Sequence, residues 1–276
     1  MAGGIAGLAR NCLDEEGRRK FLQNIQTNKC LDEHFYIILQ SKGQKLNTDM
    51  RKNWWKILTF ILLMYVCTEG FFVKIPVLDD RLQQSIRNLF FHVPMWIAMM
   101  ILLSVSVVYA IKFLRTGNKK DDIISLEFAR AGLLFSLIGL FTGMIWAKYQ
   151  WGAAWSNDPK QTGTAMAILI YCAYFVLRGS MNDMDKKAKI GAVYNIFAFC
   201  MLFPTLWIMP RLTESLHPGG MGSQGNPGLN PNDTSEGLKT VMYPAFIGWT
   251  LLGVWVASIF VRYRTLLEKK LDRAAG

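Results

Sequence analysis

The chain has 276 residues and a net charge of +11, with 51% of its residues hydrophobic and only 18% charged. Nine tryptophans beside so few charges exclude an ordinary soluble domain, and apolar residues gathered into long runs point to a membrane protein. The five cysteines, Cys12, Cys30, Cys67, Cys172 and Cys200, form no C-x-x-C pair, so neither a disulfide framework nor a thiol-held zinc is expected.

Residues 1–53 read as a polar tail mixing acids and bases, in which FLQNIQ and FYIILQ are amphipathic enough to predict one or two short surface helices. No signal peptide is expected ahead of so long a polar stretch, which places the tail on the side where synthesis occurs. Residues 54–73 are the first predicted span, with Lys56 and Glu69 near its ends, where an interface can solvate them. Charge-free windows follow at 88–111, 131–147, 161–177, 190–210 and 240–261. Each comes close to the roughly 17–25 residues that cross a hydrocarbon core. The expected fold is therefore an all-α integral membrane bundle of six transmembrane helices over residues 54–265, followed by a basic tail at 266–276.

Charge gives the orientation. The segments 112–130, 178–189 and 262–276 hold 14 Lys and Arg residues, against 7 in the alternate segments 74–87, 148–160 and 211–239. That asymmetry is the positive-inside pattern and predicts both termini in the cytoplasm. The excess of basic residues is thereby spent on topology, and no nucleic-acid partner is expected.

Between the third and fourth windows lies WAKYQWGAAWSNDPKQTG, residues 146–163, with Trp146, Trp151 and Trp155. Asp158 is a good helix N-cap, Pro159 a good first helical residue, and Gln161 stands where a capping box wants Glu or Gln, so the fourth span starts here. The third span is expected to end near Trp146. Trp151 and Trp155, four residues apart, would share one face of a helical turn and form an apolar shelf at the water boundary. Tryptophan also gathers at membrane interfaces for generic reasons, so the shelf alone decides nothing. After the fifth window, residues 217–237 are rich in Gly and Pro and read as a mobile loop; no Gly-Lys-Ser/Thr follows to make them a phosphate loop.

Only three histidines occur: His34 in the tail, His92 at the start of the second span, and His217 after the fifth. From His92 the chain crosses twice to reach the tryptophans and four times to reach His217. All three therefore share one face, whether or not the first span is real. Two neutral imidazoles from different loops beside indole rings suit a planar iron macrocycle, which takes axial nitrogens above and below the metal. Arg87 and Lys160, or Lys148, are placed to meet its propionates. A zinc hydrolase would want a third ligand or an H-E-x-x-H motif, and Ser215 near His217 lacks a nucleophile motif.

At these residues the chain resembles the cytochrome c assembly family, haem-handling membrane proteins marked by a WWD segment that reads roughly W-G-x-x-W-x-W-D-x-[RK]-x-T. Here it stands as WGAAWSNDPKQT, matching at Trp151, Gly152, Trp155, Asp158, Lys160 and Thr162. Asn157 replaces the tryptophan before the aspartate, and Ala154 stands where an aromatic is common. The likeness runs over roughly residues 54–265. It implies non-covalent, b-type haem at the periplasmic face of a bacterial inner membrane, with His92 and His217 on the iron. Trp146, Trp151, Trp155 and Asp158 would form the platform, with Arg87 and Lys160 at the propionates. Implied partners are a periplasmic haem chaperone, ATP-binding cassette transporter subunits and membrane lipid. Two alternatives stay open: a synthase acting directly on apocytochrome, and a permease or structural subunit without haem. No acid, base or nucleophile set for catalysis is evident.

Overall fold

The computed structural model describes Glu16, residues 53–75, Gln83, and residues 85–217 and 235–275. The expected surface helices of the tail and most of the Gly/Pro loop lie outside the described residues. The chain divides into compact units Met1–Trp54 and Trp55–Gly276, and the second of these holds the helical bundle.

Among the described residues there is no strand, and six helices are long and apolar enough to cross a membrane. They are α1 (Asn53–Phe72), α2 (Leu89–Thr116), α3 (Lys119–Trp151), α4 (Pro159–Ser180), α5 (Met184–Leu202) and α6 (Glu236–Ala275). α5 runs on through a π-helical turn, Phe203–Ile208, into Met209–Leu212. α6 continues without a break through the basic residues after 265.

Several helices overrun their charge-free windows at the basic end, because the charges there are paired. Arg178 on α4 makes a two-pronged bond to Asp122 on α3 at 2.8 Å through each nitrogen. Lys112 on α2 meets Asp121 at 3.0 Å. Buried Asn195 on α5 donates to Ser106 and Ser125 at 2.7 and 3.1 Å. Such bonds let polar groups lie between helices at a tolerable desolvation cost.

α2 is the central helix, packed along α3 and against α5 and α6, while α4 lies on α3 and α5. Leu102, Leu103, Phe135, Tyr171, Tyr174 and Leu202 form the main apolar core. A second cluster at the opposite end from the basic pairs joins Val66 and Phe90 to Val241, Met242 and Ala245 of α6. α4 and α5 approach closely where Gly163 abuts the backbone carbonyl of Thr205 in the π-helical turn, and a Cβ at 163 would overlap that oxygen. The wide turn starts beside Pro204, whose missing N–H leaves an ordinary helical bond unmade.

Candidate functional site at one end of the bundle

Successive helices run antiparallel, so the start of α2, the end of α3, the start of α4 and the end of α5 meet at one end. His92 lies in the first turn of α2, half-buried against α3. Its Nδ1 is 3.0 Å from the Gly139 carbonyl oxygen and 3.2 Å from Thr142 Oγ1. The Thr142 hydroxyl donates to the Ile138 or Gly139 carbonyl, so its oxygen is left to accept. Nδ1 therefore carries the proton, and Nε2 holds the lone pair. Nε2 in turn accepts the indole N–H of Trp96, one turn on, at 3.3 Å. Gly143 keeps the ring's place open, since a Cβ there would come within 2.7 Å of His92 Cε1.

The WWD-like segment differs from the expected shelf. α3 does not stop near Trp146 but continues to Trp151, where Gly152 ends it in the left-handed conformation at φ 81. The helix thus breaks between Trp151 and Trp155, and their rings do not share a helical face. Trp151 packs edge-on to Trp146 at 5.3 Å and to the His217 imidazole at 4.8 Å, with Trp146 and His217 6.4 Å apart. Trp155 points elsewhere: it is exposed and donates its indole N–H to Asn157 Oδ1 at 2.7 Å. Asn157 adopts φ 55, which asparagine tolerates and a tryptophan would not adopt without strain.

Asp158 caps α4 as expected, accepting from the Lys160 N–H at 2.9 Å with Pro159 following. Gln161 does not close a capping box onto Asp158. It reaches further back, accepting from the Ser156 N–H at 2.9 Å and donating to the Ala154 carbonyl at 3.1 Å, and so braces the loop. The larger surprise is the second task of Asp158. Its carboxylate is buried and accepts from His217 Nδ1 at 2.7 Å, Ser215 Oγ at 2.8 Å and the Leu216 N–H at 2.7 Å. Residues 215–217, nearly sixty positions away, are thereby tied to the start of α4. The cap signal in the sequence located Asp158 but gave no hint of this chelation, because nothing local connects the two segments.

Electrostatics follow from these contacts. Burial alone would raise the Asp158 carboxyl, but the charge of His217 and the bonds from Ser215, Lys160 and Leu216 hold it below the usual carboxylate range. Burial lowers His217, helped by Lys160 and opposed by Asp158, so the imidazole is neutral near pH 7. With Nδ1–H on the carboxylate, His217 Nε2 carries the lone pair, in the arrangement by which carboxylates orient metal-binding histidines. His217 and Lys160 both lie within electrostatic range of His92.

The structure thus brings His92, Trp146, Trp151, Asp158, Lys160 and His217 to one end. Arg87 is there too, its Nη1 donating to the Gly70 carbonyl of α1 at 2.7 Å. Among the described residues no group of three or more His, Cys, Asp or Glu side chains could hold a metal ion. Two imidazole nitrogens with their tautomers fixed, flanked by indoles, are the donor set available. That set fits an iron porphyrin, which needs two axial nitrogens and apolar faces.

The family model for cytochrome C assembly protein matches residues 30–217, two thirds of the chain. The chain belongs to the cytochrome c assembly family. The match starts inside the polar tail, upstream of where the motifs place the likeness, and ends at His217. Among relatives, Heme exporter protein C of Paracoccus denitrificans is 21% identical over 193 residues, covering 70% of this chain and 77% of that protein. Heme exporter protein C of Haemophilus influenzae is 24% identical over 192 residues, covering 70% and 75%. Cytochrome c biogenesis protein CcsA of Prochlorococcus marinus is 33% identical over 88 residues, 32% of this chain but only 28% of that protein. Family membership and six apolar helices together make the chain a multi-pass membrane protein.

Proposed function

We propose that this protein handles haem for cytochrome c maturation, holding it at the outer end of the bundle and passing it to a periplasmic haem chaperone. The observation that carries the reading is the presence at one end of two imidazoles with fixed tautomers, His92 of α2 beside Trp96 and His217 beyond α5 beside Trp146 and Trp151. The likeness to two proteins named Heme exporter protein C over most of their length supports it. Haem would enter as cargo, bound non-covalently and b-type, and would supply the iron and vinyl chemistry that the acceptor uses.

The residues then have separate tasks. His92 and His217 each offer Nε2 to the metal, and Asp158 orients His217. Trp151 and Trp146 give the porphyrin an apolar wall, with exposed Trp155 at its outer margin, while Lys160 and Arg87 answer its carboxylates. The 14 to 7 bias of basic residues supports an orientation with both termini in the cytoplasm and this end outside, which in a bacterial inner membrane is the periplasm. The expected division into tail 1–53, haem-handling domain 54–265 and basic end 266–276 belongs to the same proposal. The described residues carry no nucleotide motif, in keeping with ATP chemistry residing in cassette-transporter partners.

The test is an optical spectrum of the purified protein from haem-replete cells. A Soret band lost in both His92→Ala and His217→Ala is the expected result; a colourless wild type refutes the proposal. A haem-linked small chaperone should co-purify. Under the second reading, direct action on apocytochrome, no such chaperone is found and apocytochrome is captured instead.

A further inference from the structure

The two imidazoles differ in what surrounds their ring nitrogens. His217 Nδ1 faces a buried carboxylate at 2.7 Å that three further donors hold in place. A negative acceptor on Nδ1–H pushes electron density to Nε2 and strengthens it as a metal ligand. His92 Nδ1 faces only neutral oxygens, the Gly139 carbonyl and the Thr142 hydroxyl. Its Nε2 is already engaged by the Trp96 indole N–H, on the very lone pair a metal would need. Trp96 packs edge-on to His92 at 5.9 Å, with Gly139 against its ring, and lines a small cavity of about 10 Å³ with Met99, Thr164 and Tyr171.

We propose that Trp96 makes His92 the weaker, exchangeable axial ligand, so that cargo leaves from the His92 side while His217 keeps its hold. The inference rests on the haem-handling reading. In the exchange His92 Nε2 yields its place to an incoming nitrogen lone pair, and the Trp96 N–H re-forms its bond to the released His92. No proton or electron changes owner. Trp96 acts through His92 and is a positioning residue, setting the ease of release without touching iron.

The experiment is carbon monoxide entry into the reduced, haem-loaded protein, which requires one axial nitrogen to depart. Trp96→Phe keeps the ring and deletes the N–H. It should slow entry about fivefold, the factor that one ordinary hydrogen bond is worth. A packing defect would instead lower the yield of haem-loaded protein and leave the rate of entry into the loaded fraction unchanged or faster. A change below twofold, or faster entry, overturns the proposal. Should Trp96→Phe not assemble, wild-type protein with 15N-labelled tryptophan gives the answer: the Trp96 indole resonance shifts on haem loading, and an unmoved resonance overturns the proposal. A wild type that takes up no haem defeats the functional reading as well, which separates the two failures.

Discussion

Asp158→Asn is the sharpest perturbation the site offers, because the change is nearly isosteric and the bonds can be followed atom by atom. Oδ1 accepts from the Lys160 N–H and His217 Nδ1, and Oδ2 from Ser215 Oγ and the Leu216 N–H. An amide must put its NH2 at one of these positions. At the Oδ2 position the Ser215 hydroxyl can turn and accept, but the Leu216 N–H is orphaned. At the Oδ1 position the imidazole can change tautomer and accept, but the cap on Lys160 is lost and His217 Nε2 becomes protonated. Either way residues 215–217 exchange bonds to a buried carboxylate for bonds to a neutral amide and one backbone donor loses its acceptor, at a cost of about 1–3 kcal/mol. Residues 215–217 should therefore open more readily, by roughly 5- to 150-fold at the conversion of 1.4 kcal/mol per decade. Hydrogen exchange of the Leu216 amide in nanodiscs reads this directly, with amides of α2 as internal reference. Protection at Leu216 within twofold of wild type would refute the account of Asp158 as the clamp on His217.

Four further outcomes rest on the same contacts. Trp151→Ala should cost far more haem retention than Trp155→Ala, since Trp151 packs on His217 and Trp155 does not; a Soret titration compares them, and equal losses would count against the geometry. Asn157→Trp, which restores the family pattern, should destabilise the loop by about 1–2 kcal/mol because a bulky side chain is forced to positive φ, whereas Asn157→Gly should be tolerated; thermal melts in detergent distinguish the two. Gly163→Ala should disrupt α4–α5 packing and lower the yield of folded protein in size-exclusion profiles, because its Cβ meets the Thr205 carbonyl rather than a movable side chain. Because the folded Asp158 carboxyl sits below its ordinary 3.8, its stabilisation is complete above about pH 4 and is lost as pH falls through the depressed folded value; Leu216 exchange, corrected for intrinsic rate, should rise there in wild type, and Asp158→Asn should lack that step and keep only the response that belongs to His217.

Much of the fold was legible because a membrane span is a one-dimensional signal. Five windows without charge, and an apolar run carrying only Lys56 and Glu69 near its ends, marked the six helices and their order, and the crossing count placed both histidines and the tryptophans at one end without any coordinates. Helix ends were less legible where tertiary pairing decides them: α3 begins at Lys119, not near Ala131, because Asp121 and Asp122 find Lys112 and Arg178. The site shows the same division. The residue types and the Asp158 cap were local and readable. That Asp158 also holds His217 depends on groups far apart in the chain, and that Gly152 turns Trp155 away from Trp151 depends on a backbone break; the bond from Trp96 to His92 is local, four residues along one helix, where the spacing allows a contact without requiring it. The α3 pattern gave no warning of that break.

The wide turn at Phe203–Ile208 stores an extra residue within α5. An ordinary helix advances the chain by about 100° per residue around its axis, and a turn that closes with one residue more spreads nearly the same rotation over the surplus. The segment beyond it therefore keeps its phase, and Pro210, Arg211 and the exit to His217 emerge as they would from an unbroken helix. An extra residue inserted with no wide turn to absorb it would instead swing everything downstream by about 100° and carry the imidazole of His217 away from the α4 entrance. The local irregularity is thus the slack that keeps two distant segments in step.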